Sequence, residues 1–360
     1  VTGENDSTEL PLLPTTVVGS YSVPEWLESV KTDYYQRKIS KQYLDDIHDV
    51  ATKAALKDQE RTGIHVVSGG ELRRDNDVDY LLSRIPGIDI PDIAKSDSYN
   101  YFDAVVSRPL PDNAMLPLGL VDDLSFTREN TDRPVKFSFT GPLSLSRRIR
   151  NQAYSDTSEL VRALARLLNM EAKRLAQAGA TWLQIDEPFL CGYRDQVDVA
   201  VEGVNIITSD VDVYWSLHVC YGNRYARPIW EGHYDFLFPD VLDADVDQLV
   251  FEFARRGYGD LGLFERFGWD RSVGLGVVDV KTEEIETAGT VAARIRTALR
   301  TIPAERLVIN PDCGLRHLPA HIARAKLLAM VDGAAMVRSE LRDTGDVAES
   351  RADSVREGSG

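Results

Sequence analysis

Short apolar, β-branched runs recur along this chain, with amphipathic stretches between them. The runs cover residues 15–21, 65–71, 136–142, 182–188, 213–220, 248–254, 272–279 and 306–313. Each has the length of a strand and stops at polar or turn-forming residues. Apolar residues at helical spacing mark 43–61, 160–178, 291–299 and 322–330 as helices. Eight strands alternating with helices, within the length of one barrel, predict an α/β fold: a single (β/α)8 TIM barrel. A doubly wound sheet fits less well, because no Gly-x-Gly-x-x-Gly follows the first run. Residues 75–133 form a long connection, expected to be an insertion between strands 2 and 3 that helps cover the mouth. Residues 1–12 read as a frayed N-terminus and 339–360 as a polar, flexible tail, leaving 1–338 as one domain.

The run ends add to the barrel reading. In order they carry Gly19-Ser20, Gly70-Glu71, Thr140-Gly141-Pro142, Asp186-Glu187-Pro188, His218-Val219-Cys220, Glu252, Asp279 and Asp312-Cys313. In a barrel these carboxyl ends converge on one face, where barrel enzymes hold their active sites.

His218 and Cys220 stand two apart on a strand and so point the same way. Cys313 ends the eighth run, and Glu252 interrupts the sixth, where a carboxylate is costly unless paired or metal-bound. One imidazole, two thiolates and a carboxylate suit Zn2+. The plainer alternative, a core histidine with ordinary buried cysteines, stays open for each residue taken singly. Cys191 has no His or Cys neighbour and reads as structural. A thiolate-rich zinc polarises water weakly but lowers the pKa of a substrate thiol, which points to S-alkylation.

Composition narrows the partners. The chain has 360 residues, 43% hydrophobic, and a formal net charge of −16. That balance disfavours nucleic acid and anionic membrane surfaces. No apolar run has transmembrane length and no secretory segment is evident. Three cysteines do not make a disulfide framework, and free thiolates suit a reducing cytoplasm. A homo-oligomer is compatible with the sequence.

The motifs together resemble the zinc barrel, the C-terminal half, of cobalamin-independent methionine synthase. His218-x-Cys220, Glu252 and Asn310-Pro311-Asp312-Cys313-Gly314 look like its zinc ligands. Thr15-Thr16-Val17-Val18-Gly19-Ser20, Thr140-Gly141-Pro142 and Gln184-Ile185-Asp186-Glu187-Pro188 match further motifs in the same order. The resemblance runs from about Leu13 to Arg338. It implies the barrel, zinc and a thiol acceptor. It also implies Ser20, Glu71 and Asp186 as substrate binders.

Two positions depart from the folate-using members. The tryptophan that follows Thr-Gly-Pro there is replaced by Leu143-Ser144-Leu145-Ser146-Arg147-Arg148. The Asp-Ile-His motif assigned to proton transfer reads Asp279-Val280-Lys281. Among short relatives, the chain is most similar to the epoxyalkane:coenzyme M transferase branch, through residues 10–14, 31–37 and 220–228. The resulting expectation is a zinc-bound coenzyme M thiolate opening a short-chain epoxide. Arg147, Arg148 and Arg224 would meet the sulfonate, and Lys281, Asp279 or Tyr221 would manage the proton. The alternative is homocysteine S-methylation from a methylcorrinoid or methyltetrahydrofolate. Glu71 and Asp186 suit the ammonium group that homocysteine has and coenzyme M lacks.

Overall fold

The computed structural model describes residues 10–92, 100–111 and 117–357, with side chains to residue 343. Six parallel strands pair in sequence order: Lys136–Thr140, Trp182–Asp186, Tyr214–Val219, Gln248–Phe251, Ser272–Gly276 and Leu307–Asn310. The two edges are joined through short bridges. Thr15 pairs with Ile309, Thr16 with Val66, and Val67 with Val135, all parallel. The sheet therefore closes on itself as eight staves, the arrangement of a (β/α)8 barrel. All eight predicted runs supply a stave. The first two are reduced to single bridges because the chain turns away early, with Gly70 and Glu71 both at positive φ.

The helices follow local chemistry. Lys41–Thr62 starts on Ser40, whose side chain accepts the Tyr43 N–H, and stops at Gly63 with φ 84°. Thr157–Gln177 starts on Asp156, which accepts from Glu159 N at 2.9 Å, while Glu159 accepts from Ser155 N at 3.1 Å. That reciprocal capping fixes the helix entry. Its leucines 160, 164, 167, 168 and 175 form the buried face. The last helix, Ala320–Glu357, is far longer than its apolar stretch and continues through 339–357. Residues 75–133 hold a turn of helix at Asp79–Leu82, the strand Ala104–Val106 and the helix Leu120–Glu129. Ala104–Val106 pairs with Ile149–Asn151, outside the barrel.

The barrel interior is layered. Val66, Trp182 and Val308, backed by Tyr214, make an apolar plug. Beyond it lie buried Lys136, Gln184, Ser216, Gln248 and Asn310. Trp182 Nε1 donates to Ser216 Oγ at 2.7 Å, and Ser216 Oγ donates to Gln248 Oε1 at 2.8 Å. This polar layer supports the stave ends.

Candidate active site

The fifth stave, Tyr214–Val219, runs out through His218 and Cys220, and Cys313 lies just past the eighth, Leu307–Asn310. All three are buried, and their ligand atoms lie within 4.8 Å of one another. The Cys220 and Cys313 sulfurs are 3.6 Å apart. Two thiolates on one tetrahedral zinc, each at ~2.3 Å, would sit roughly 3.8 Å apart. The cluster thus has the dimensions of a metal site.

His218 supports the same reading. Its Nδ1 is 2.9 Å from Asp186 Oδ1. A carboxylate only accepts, so Nδ1 carries the proton and Nε2 presents its lone pair. That buried Nε2 faces the Cys313 sulfur and makes no well-formed hydrogen bond among the described residues, as expected of a nitrogen that shares a metal with that sulfur. In the protein alone, burial pulls His218 down, but Asp186 and Cys313 outweigh it and raise it to about 9. Hydrogen bonding from Cys220 holds Cys313 well below the usual thiol range despite burial, with His218 adding to the effect. Cys220 correspondingly stays a thiol, raised by its bond to Cys313 and by burial. Metal binding would displace these protons.

Glu252, expected as a fourth ligand, is not in the cluster. It is fully buried and ion-paired with Lys281, itself 2% exposed, through Oε2, while Oε1 has no partner. Burial pushes the Glu252 carboxyl up against the opposing pull of Lys281. The ion pair also occupies Lys281. Asp279 caps a turn, accepting from Lys281 N at 2.8 Å. Tyr221 is buried beneath the Arg256 guanidinium, 3.9 Å from its ring centroid. None of Lys281, Asp279 and Tyr221 lines the cavity above the cluster.

That cavity, about 100 Å³, is bounded by His218, Cys220, Cys313, Ser20, Glu71 and Asp186, and also by Arg224. Arg147 and Arg148 do not line it; they stack on Tyr193 and Tyr101, each 4.0 Å from the ring centroid. Glu71 has φ 57°, an uncommon conformation for a non-glycine residue. It accepts from Ser138 Oγ at 2.5 Å and pairs with Arg74 at 3.0 Å. A Cβ on Gly19 would fall 2.6 Å from Glu71 Oε1, so the Gly19-Ser20 turn needs its glycine to leave Glu71 in place.

The remaining motif residues are scaffolding. Glu187 accepts from Leu143 N at 3.0 Å and from Ser144 N at 2.8 Å, tying the fourth stave to the helix Pro142–Ser146. Asp312 accepts from the backbone N–H of Phe253, Ala254 and Arg255 at 3.0, 2.8 and 2.9 Å. Sequence reasoning missed the cavity residues Arg74, Asn76, Asp77, Tyr101 and Arg316. They come from connections, where no periodicity marks which side chain turns inward.

A closed parallel barrel with His218, Cys220 and Cys313 clustered at its carboxyl ends has the form of a barrel protein with a candidate metal site. Residues 13–336 match the family model for the cobalamin-independent synthase catalytic domain, and the chain belongs to the cobalamin-independent methionine synthase family. It is 35% identical over 340 residues to a methionine synthase of Sulfurisphaera tokodaii, covering 94% of this chain and 96% of the relative. A methionine synthase of Saccharolobus solfataricus is 36% identical over 341 residues, covering 94% and 98%. A B12-independent methionine synthase structure from a Shewanella species, in complex with selenomethionine, superimposes with a TM-score of 0.79 at 27% identity, covering 92% and 99%. No helix among the described residues is long and apolar enough to cross a membrane.

Proposed function

We propose that this chain is a zinc-dependent homocysteine S-methyltransferase. The carrying observation is that Glu71 and Asp186 border the same cavity as His218, Cys220 and Cys313, while Arg147 and Arg148 do not. A substrate whose thiol reaches the cluster meets two carboxylates, which suit an ammonium group and repel a sulfonate. The ammonium group favours homocysteine over coenzyme M, and Arg74, Arg224 and Arg316, which also line the cavity with Arg74 paired to Glu71, suit the carboxylate that homocysteine also carries. The methionine synthases among its relatives support the same choice.

When bound, zinc would hold the homocysteine sulfur as thiolate at neutral pH. The thiolate attacks the methyl carbon of the donor. The new S–CH3 bond forms as the donor–CH3 bond breaks, and the electron pair leaves with the donor, to cobalt in a methylcorrinoid or to the N5 nitrogen of a folate that takes up a proton from solvent. Asp186 holds the His218 tautomer and, with Glu71 and Ser20, orients the amino acid for in-line attack. The donor is a methylcorrinoid or methyltetrahydrofolate, and residues 1–338 act as one catalytic domain. All three cysteines are free thiols, which suits action in a reducing compartment such as the cytoplasm.

The test gives zinc-loaded protein either homocysteine with methylcobalamin or methyltetrahydrofolate, or coenzyme M with epoxypropane. Methionine formation is expected. Turnover only with coenzyme M and the epoxide would overturn the proposal in favour of the coenzyme M reading.

A further inference from the structure

Lys136 lies on the third stave, Lys136–Thr140, and is 1% exposed in the polar layer of the barrel interior. Its Nζ donates to Gln184 Oε1 at 2.7 Å. A lysine in a barrel interior is rare unless its position has a use. Accepting from Lys136 with its carbonyl oxygen fixes which end of the Gln184 amide points the other way. Nε2 then donates to Asp186 Oδ1 at 2.7 Å and to Val18 O at 2.8 Å. Asp186 Oδ1 is the atom that takes the His218 Nδ1–H at 2.9 Å. The four side chains thus make one directional chain from mid-barrel to the metal cluster.

We propose that Lys136 is a positioning residue for the metal site, acting through Gln184 and Asp186 to lock the His218 tautomer and ring orientation. The inference rests on the metal-centre reading above. It does not depend on the charge of Lys136, whose Nζ donates whether or not it is protonated. Burial pulls this amine down to about 7, with Asp186 and Glu71 opposing the shift. Without the lysine, the buried Gln184 Oε1 loses its donor, and the amide is held only from the Nε2 side by Val18 O and Asp186 Oδ1. The side chain can then shift in the space left by the lysine, loosening its bond to Asp186. Asp186 is the partner bonded directly to the ligand, a position that typically contributes about 10–100-fold to metal affinity; Lys136, three hydrogen bonds from His218, contributes part of that.

The test measures zinc affinity by chelator competition and the ligand-field spectrum of the cobalt-loaded protein, on the full chain. Lys136→Met is expected to lower zinc affinity severalfold, less than the about 10–100-fold of a partner bonded directly to the ligand, and to alter the cobalt spectrum. The Lys136→Met/His218→Ala double variant should bind no more weakly than His218→Ala alone, because coupled losses do not add. Should Lys136→Met fold poorly, Gln184→Met tests the middle link by removing the donor to Asp186 without adding a charge. Unchanged affinity and spectrum in a folded variant, or fully additive losses, would overturn the proposal while leaving the metal site intact. Absence of zinc binding in the unmodified protein would overturn both readings.

Discussion

The Sγ atoms of Cys220 and Cys313 lie 3.6 Å apart although 93 positions separate them in the chain. Ring closure of the barrel brings them together, since the fifth and eighth staves meet only across its mouth. Neither thiolate alone would hold a divalent ion against water, whereas the pair with His218 forms three sides of a tetrahedron. Cys220→Ala and Cys313→Ala should each lose stoichiometric zinc and turnover together. Metal analysis of the purified variants checks this, and full metal content in either would remove that residue from the ligand set.

Asp186 has two roles that separate experimentally. It orients His218 and borders the substrate cavity. Asp186→Ala should weaken zinc by about 10–100-fold. With zinc held at saturation, the KM for homocysteine should still be raised. A change in metal affinity alone would remove Asp186 from the substrate side.

Glu252 and Lys281 form a buried pair, at 0% and 2% side-chain exposure. Breaking it from one side leaves a buried charge uncompensated, at a cost on the order of 3–5 kcal/mol. Glu252→Leu should therefore lower the melting temperature sharply, and adding Lys281→Met should recover most of the loss. Zinc content of the double variant then tests ligation. Retained metal would make Glu252 a structural partner, and lost metal would restore it as a fourth ligand.

Gly314 follows Cys313 and packs against Ser20, where a Cβ would fall 1.9 Å from the Ser20 hydroxyl. Gly314→Ala should displace Ser20 and raise the KM for the amino-acid substrate. Zinc stoichiometry should remain unchanged in the same preparation.

Acid should destabilise the protein through buried His48 and the half-buried His65 and His317, whose protonation burial opposes, and not through His218, which is raised. Burial, reinforced by Lys31 and Arg73, lowers His48 to about 2. An unfolded histidine binds its proton near ~6.5. Between those values the unfolded state holds the extra proton, so stability falls as pH drops below that point and is unaffected by this group above it. The slope from His48 is about 1.4 kcal/mol per pH unit. His65 and His317, each lowered to about 4 chiefly by burial, act in the same direction. Denaturant titrations from neutral pH towards 5 should show a shallower slope for His48→Leu than for the unmodified chain.

The hydrophobic pattern alone determined much of this protein. Every stave and all four marked helices follow from periodicity and capping. His218 and Cys220 were also legible, because alternation on one strand is a local property. Which distant residues joined them was decided by ring closure. Cys313 lies beside them because the eighth stave ends at the same mouth, while Glu252, also at a stave end, turns to Lys281, since a buried carboxylate takes the nearest cation. Arg147 stacks on Tyr193 outside the cavity and Arg148 on Tyr101 in its wall, so neither guanidinium lines it, a choice made by packing in the connections. Lys136 was hidden for the opposite reason: its run reads as strand, and only the closed barrel shows that the inward face of that strand is polar and leads to the His218–Cys220–Cys313 cluster.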